Sequence, residues 1–220
     1  MGRRWVMLLV FVVVACSGVS LAGEAGPVPL DAVKREALLQ RIRDVQSGIR
    51  TMQAPFTEDR SLAGLAVPLH FEGVLYVERG GLLFMEYRHP LEHILQVKGD
   101  SVLFYVKGST TADLVDLSQV QGIAGRPDVF AWNPGDFRGE IYEEPDAYRL
   151  EDRGKAGEGR RITVFLDRET LLVCAIDLTE KGGDRTHIAL GGLEVNRPLP
   201  QRITDFQLPE GTGINALGGP

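Results

Sequence analysis

The side chains able to perform chemistry are few and scattered along the chain. Histidine occurs only at His70, His89, His93 and His187. The stretch His89-Pro90-Leu91-Glu92-His93 lacks the HExxH arrangement that would hold zinc and a general base on one helix face. His89, just before Pro90, reads as a turn residue, and His93 as an edge-strand residue. Asp59, Glu72, Glu86 and Asp177 are candidate carboxylates, but strand placement alone does not make an acid–base pair. Cys174, within "LLVCAIDL", reads as a small apolar strand residue, because a catalytic thiol needs a positioned base and none is evident. No Gly-rich run ends in Lys followed by Ser or Thr, so there is no ATPase loop. No catalytic residue, metal or cofactor is expected.

Cys16 carries a different chemistry. Met-Gly-Arg-Arg supplies positive charge ahead of the apolar run Trp5 to Ala15, too short to span a hydrocarbon core as a helix of about 20 residues. Residues 1–15 therefore read as a secretory signal. Val13, Val14 and Ala15 place a branched residue and small residues ahead of the cysteine, as acylation with cleavage before Cys16 requires, which would make Cys16 a lipid anchor. Ordinary cleavage after Ala22 stays open, because Ser20-Leu21-Ala22 also presents small residues. Residues 16–29, rich in Gly and Pro, form a flexible tether.

Removing residues 1–15 takes away Arg3 and Arg4 and no acid, leaving 22 basic against 30 acidic side chains, a formal charge of −8. No cluster of positive charge dominates, which argues against a nucleic-acid partner. Two cysteines give no disulfide framework. The remaining length suits one domain, residues 30–214, with a C-terminal tail at 215–220.

The elements around these residues follow from periodicity. Val33, Leu38, Ile42, Val45 and Ile49 form an apolar stripe at helical spacing, predicting one amphipathic helix from near Leu30 to about Gly48 or Arg50. Beyond Pro55 the pattern becomes that of short strands: 69–78, 82–87, 93–97 and 101–106, joined at Gly80-Gly81 and Gly99-Asp100 as an antiparallel meander. A strand at 112–117 and a short helix from Ser118 follow. A second series is expected at 138–143, 146–152, 160–167, 171–178 and 185–190, with a last short strand around Ile203 to Phe206 and a turn-rich end.

These strands are apolar on both faces. Leu75 and Val77 oppose Val74 and Tyr76, while Val102, Phe104 and Val106 oppose Leu103 and Tyr105. One face can meet the core; the other must meet helices, a second sheet or an enclosed cavity. Val129, Phe130 and Trp132, together with Phe137, bring apolar surface into a turn-rich centre that reads as a lid or as a packed loop. The fold class is mainly β with helices (α+β): an unclosed antiparallel β-barrel with an N-terminal helix and a short central helix or loop covering an apolar cavity.

From Leu38 to Ile214 the order of motifs resembles the bacterial outer-membrane lipoprotein carrier family, LolA-like and related to the LolB acceptor fold. The resemblance rests on Gln53 and Phe56 as Gln-x-x-Phe and on Gly73-Val74-Leu75. Arg79 in a hairpin, an aromatic strand before His89-Pro90, and Phe206, Pro209 and Gly211 complete the series. It implies a half-barrel that receives the acyl chains of bacterial lipoproteins in the periplasm. An inner-membrane release complex, an outer-membrane acceptor and the membrane itself would be its partners, and an acylated Cys16 would tether it to the outer membrane. Phe71, Leu75, Val77, Leu83, Met85, Val102, Phe104, Val106 and Val164 are the acyl-chain cavity candidates. Arg79 matches the family's basic position that latches the lid, though Gly80 stands where the pattern has Pro. Alternatives are an anchored acceptor and a non-transport module that binds a protein partner on the same fold.

Overall fold

The computed structural model of the protein describes residues 28–116, 137–152, 159 and 161–217. Cys16 and the lid candidates Val129, Phe130 and Trp132 lie outside the described residues.

Helix α1 spans Ala32–Ser47, opened by Asp31, whose carboxylate accepts the Lys34 backbone N–H at 2.9 Å. This satisfies one of the orphan donors of the first turn. Leu38, Leu39 and Ile42 are buried, whereas Val33 and Val45 of the expected stripe are exposed. The contact face of the helix is thus narrower than its periodicity suggests.

The strands are β1 (Thr51–Ser61), β2 (Leu69–Glu78), β3 (Leu82–His89), β4 (His93–Lys98), β5 (Ser101–Val106), β6 (Thr111–Asp116), β7 (Glu140–Glu143), β8 (Ala147–Asp152), β9 (Arg161–Asp167), β10 (Val173–Thr179), β11 (Arg185–Leu190), β12 (Glu194–Val195) and β13 (Gly213–Leu217). They form one sheet in the order β13-β6-β5-β4-β3-β2-β1-β11-β10-β9-β8-β7, with β12 beside β1. Among the described residues only β13 on β6 is parallel. Among the described residues the order is open, with β13 and β7 as its end strands and β7 met only by the segment before α1, where Pro29 bridges Tyr142 and the Leu30 N–H donates to the Ile141 carbonyl at 2.7 Å, so the barrel is unclosed. This is the mainly β, α+β half-barrel expected from the patterning.

Three elements differ from expectation. β1 is the longest strand and sits at the centre of the sheet, yet it contains Pro55 and the charged run Glu58-Asp59-Arg60. Proline is tolerated there because β1 pairs with β11 only from Phe56 onward and with β12 only at Met52 and Gln53. Pro55 falls in the gap, where its missing N–H breaks no ladder, and its carbonyl accepts the Gly191 N–H at 2.9 Å. The segment around Ile203 is not a strand but the short helix α2 (Gln201–Thr204), entered from Pro200, a residue whose fixed φ suits a helix start. Finally, β13 carries the sheet past residue 214 to Leu217, into the stretch expected as a tail.

The two apolar faces have separate covers. On the outer face Tyr76, Leu82 and Phe84 pack with Ile203, and Val74, Ile94, Leu199 and Phe206 join them. Phe84 meets Phe206 edge to face at 5.2 Å, and Arg202 forks onto the Glu86 carboxylate at 3.0 and 3.1 Å. On the inner face α1 packs through Leu38, Leu39 and Ile42 against Phe137, Ile141, Leu150, Val164, Leu166 and Leu171.

Candidate functional site

Strand register sets the inner face row by row. One row runs Ala54, Leu75, Met85, Leu95, Phe104, and the next Met52, Val77, Leu83, Val97, Val102. A third runs Phe56, Gly73, Tyr87, His93, Val106. Across β1, Glu58 continues through Ile188, Ile176, Val164, Leu150 and Ile141. Phe71 pairs with Glu58 from the other side. All the cavity candidates named from the sequence therefore share one face.

They are not equally enclosed. Leu75, Val77, Leu83 and Met85 belong to one buried cluster with Phe56, Tyr87, Ile176 and Ile188, against which Phe71 packs. Val164 sits in the cluster under α1. Val102 and Val106 are only half-buried, and Phe104 is 37% exposed, so enclosure thins along β5.

A cavity of about 340 Å³ opens where the inner face meets the C-terminus of α1. Ile49, Met52, Val77, Leu83, Val97 and Val173 give it apolar walls, and Arg79 and Gly80 stand at its edge. Arg79 donates from Nη1 to the Ser47 carbonyl at 2.9 Å and from Nη2 to the Gln46 carbonyl at 2.7 Å. These carbonyls belong to the last turn of α1, where the regular helical donors run out and the helix dipole is negative; the Gln46 carbonyl also accepts the Ile49 N–H at 3.1 Å. The fork thus grips two carbonyls, and they are those of the N-terminal helix. Gly80, at φ +109°, adopts a backbone closed to proline, which is fixed near −65°; this is why the hairpin departs from the Arg-Pro pattern. Asn196 adds a second clasp that the sequence did not suggest: its Nδ2 donates to the Gly48 carbonyl at 2.9 Å and its Oδ1 accepts the Arg50 N–H at 2.8 Å.

At the other end of the inner face lies a buried polar cluster, also unforeseen. Glu58 is 2% exposed. It accepts the Tyr87 hydroxyl at 2.6 Å and pairs with the Nε of Arg60. The Arg60 guanidinium lies 5.0 Å from the Phe71 ring centre. His93, expected on an edge strand, is instead buried in the interior strand β4, stacked on Tyr87 at 3.9 Å, with its Nδ1–H donating to the Leu91 carbonyl at 2.9 Å. Burial, and then the charge of Glu58, push the Tyr87 phenol far above its ordinary value. Burial pulls the His93 imidazole below its own. Neighbouring cross-strand rows bring Glu58 and Phe71 against Tyr87 and His93, and no spacing within the chain announces it.

Cys174 lies half-buried in β10, its thiol 3.4 Å from the Phe165 carbonyl, and burial pushes its pKa up, the opposite of a reactive thiolate. Among the described residues no group of three or more His, Cys, Asp or Glu could hold a metal ion. No described helix is long and apolar enough to cross a membrane.

Comparison with known proteins adds to this geometry. No curated protein is similar enough to match. Among solved structures, an uncharacterized conserved protein from Thermus thermophilus aligns with TM-score 0.52 at 10% identity, over 84% of this chain and 99% of that one. A putative outer membrane lipoprotein-sorting protein domain from Vibrio parahaemolyticus aligns with TM-score 0.48 at 10% identity, over 78% and 96%. The MucA/MucB complex of Pseudomonas aeruginosa contains a chain aligning with TM-score 0.46 at 13% identity, over 84% and 64%. At such identities the likeness is one of fold. The family model described as "Outer membrane lipoprotein carrier protein LolA" matches residues 47–207, from the last turn of α1 through α2, and so takes in the hairpin of Arg79, the inner-face rows and the cover of the outer face. By that match the chain belongs to the LolA family of outer membrane lipoprotein carrier proteins.

Proposed function

We propose that this protein binds lipoproteins through their acyl chains along the inner face of the half-barrel and passes them toward the outer membrane. As a member of a carrier family it is non-catalytic, and family membership supports a periplasmic location.

The observation that carries the reading is the apolar cavity of about 340 Å³ between the end of α1 and the β2–β3 hairpin, with the Arg79 fork at its edge. That volume lies at the low end of the roughly 300–1,000 Å³ typical of small-molecule sites. Acyl chains would enlarge it by lifting α1 from the sheet, and the groups that resist this movement are the hydrogen bonds of Arg79 and Asn196. Apolar surface removed from water contributes about 25 cal/mol per Å² without directional bonds. Cargo can therefore pass between sites of similar affinity, and direction comes from the stronger affinity of the next acceptor. The motif before Cys16 supports a variant of the same role in which the domain is anchored and acts as an acceptor.

The test is uptake of a triacylated lipopeptide by the folded protein, followed by its release to acceptor membranes, with intact-mass analysis of natively purified protein for co-purifying lipoprotein. Failure to take up any acylated ligand, with a stable complex formed instead with a folded partner, overturns transport in favour of the protein-binding module. Mass analysis of the mature N-terminus separates the two routes: an acylated chain starting at Cys16 means an anchored protein, and an unmodified chain starting at Gly23 a free carrier.

A further inference from the structure

The loop joining β1 to β2 has a composition unlike the rest of the surface. From Ser61 to Leu69 it reads SLAGLAVPL, without one charged side chain, in a chain where charged residues make up 25%. Leu62, Leu65, Val67 and Leu69 are all exposed, Leu65 by 53% and Val67 by 73%. An isolated exposed leucine is ordinary; four large aliphatics across residues 62–69, three of them in the loop and one at the start of β2, are not. The loop is also held in shape. The Leu65 N–H donates to the Leu62 carbonyl at 3.0 Å, and the Ala63 N–H to the Asp184 carboxylate in the β10–β11 turn at 2.7 Å. It lies at the opposite end of the sheet from the Arg79 hairpin and the cavity.

We propose that this loop inserts into the interface of a lipid bilayer and docks that end of the half-barrel on the membrane. The proposal rests on the lipoprotein-handling reading, because cargo held by acyl chains starts and ends in a bilayer.

Three features favour a bilayer over a second copy or a folded partner. Leu62, Leu65 and Val67 between the two strands, and Leu69 at the start of β2, are exposed and line none of the described cavities, so no preformed slot in this protein receives them, and a fluid apolar phase can shape itself around them. At the base of the loop the character changes: Arg185 stands directly opposite Ser61, whereas Arg60, level with Leu69, is committed to Glu58. An apolar end with an arginine at its base matches the step from acyl chains to head groups. Near that base Asp59 and Glu72 contact His70, and Asp184 accepts the Ala63 N–H. Lastly, eleven residues lie between Cys16 and Val28, a span of at most about 40 Å when extended. An acylated Cys16 would thus keep this loop within reach of the membrane that holds the anchor.

The experiment uses the chain from Cys16 onward with Cys16→Ser, so that no anchor contributes, and measures flotation with vesicles of phosphatidylethanolamine and phosphatidylglycerol. The unsubstituted loop is expected to float. The double variant Leu65→Ser/Val67→Ser is expected to partition about tenfold less or weaker still, from the apolar burial of two side chains, with an unchanged thermal midpoint because both positions are exposed. Equal flotation of the two proteins, or none by either, overturns the proposal. So does a concentration-dependent dimer that the double variant abolishes while vesicles bind neither form. Uptake of a soluble lipopeptide, measured in parallel, keeps the two readings apart: uptake retained with flotation lost supports docking, whereas flotation without uptake leaves docking standing and strikes the transport reading.

Discussion

Phe56 and Tyr87 sit on strands separated by β2, yet their rings meet edge to face with centroids 5.0 Å apart. They can do so because the residue between them in the cross-strand row is Gly73. A Cβ there would stand 2.6 Å from the Phe56 ring and 2.4 Å from the Glu86 carbonyl oxygen. The glycine of the Gly-x-Leu motif is therefore a slot that two aromatic rings share.

Gly73→Ala is expected to force the strand or the ring aside and to cost about 1–3 kcal/mol, as overpacking of a filled core does. Denaturant titration measures it. A midpoint unchanged from wild type would mean that the Phe56 ring and the β3 backbone at Glu86 both move clear at no cost.

Arg79→Leu removes the fork from α1 while leaving the exposed hairpin intact. Hydrogen bonds from a charged donor contribute about 1.5–3 kcal/mol, and less at an exposed site. The closed arrangement should weaken by a factor of about 5–30, seen as faster hydrogen exchange over residues 44–49 and faster uptake of acylated ligand. Exchange and uptake rates that match wild type would remove Arg79 from the latch.

Tyr87→Phe deletes one hydroxyl and leaves an oxygen of the buried Glu58 carboxylate without its donor. The expected loss is about 1–3 kcal/mol, readable as a lower thermal midpoint. Combining it with Glu58→Gln in a double-mutant cycle should give non-additive losses, since the two groups share one bond.

His93 predicts a pH dependence. Its folded pKa lies below the unfolded value of about 6.5, so the unfolded chain binds the extra proton first. The stability from the neutral buried ring is present above that unfolded value and is lost as pH falls through the folded one. The groups facing the imidazole are Tyr87, Phe71, Phe104, Arg60, Glu58 and the Leu91 carbonyl. His93→Phe, which can keep the stack on Tyr87, should flatten the fall in thermal midpoint below pH 6.5. An identical slope in both proteins would assign the acid sensitivity elsewhere.

How legible the fold was depended on what each element needs. Strands β2 to β5 could be read because dense β-branched and aromatic residues are punctuated by Gly80-Gly81 and Gly99-Asp100. β1 was hidden because Pro55 and Glu58-Asp59-Arg60 look like a loop; they are strand residues only because β11 and β12 leave a gap at Pro55 and because Glu58 finds Tyr87 and Arg60 three-dimensionally. Ile203 and Phe206 announced burial but not helix, since four residues are too few for a periodicity. Of the site, the apolar rows were visible in the alternation of Leu75, Val77, Val102 and Phe104. The clasp on α1 and the Glu58 cluster were not, because their partners come from cross-strand register and from positions far away in the chain.

The open strand order has a consequence for how the molecule forms. Residue Asn215 on β13 bonds Asp113 on β6 across 102 positions, and β1 gains its second neighbour only when β11 arrives. Sequence-distant pairings of this kind carry a high loop-closure cost and slow folding. Until its last third has been delivered, the polypeptide has a single flank for its central strand and no lining for half of its trough. It must therefore pass most of its emergence as an unsealed meander with its greasy side uncovered, a state that favours aggregation wherever the nascent chain is crowded.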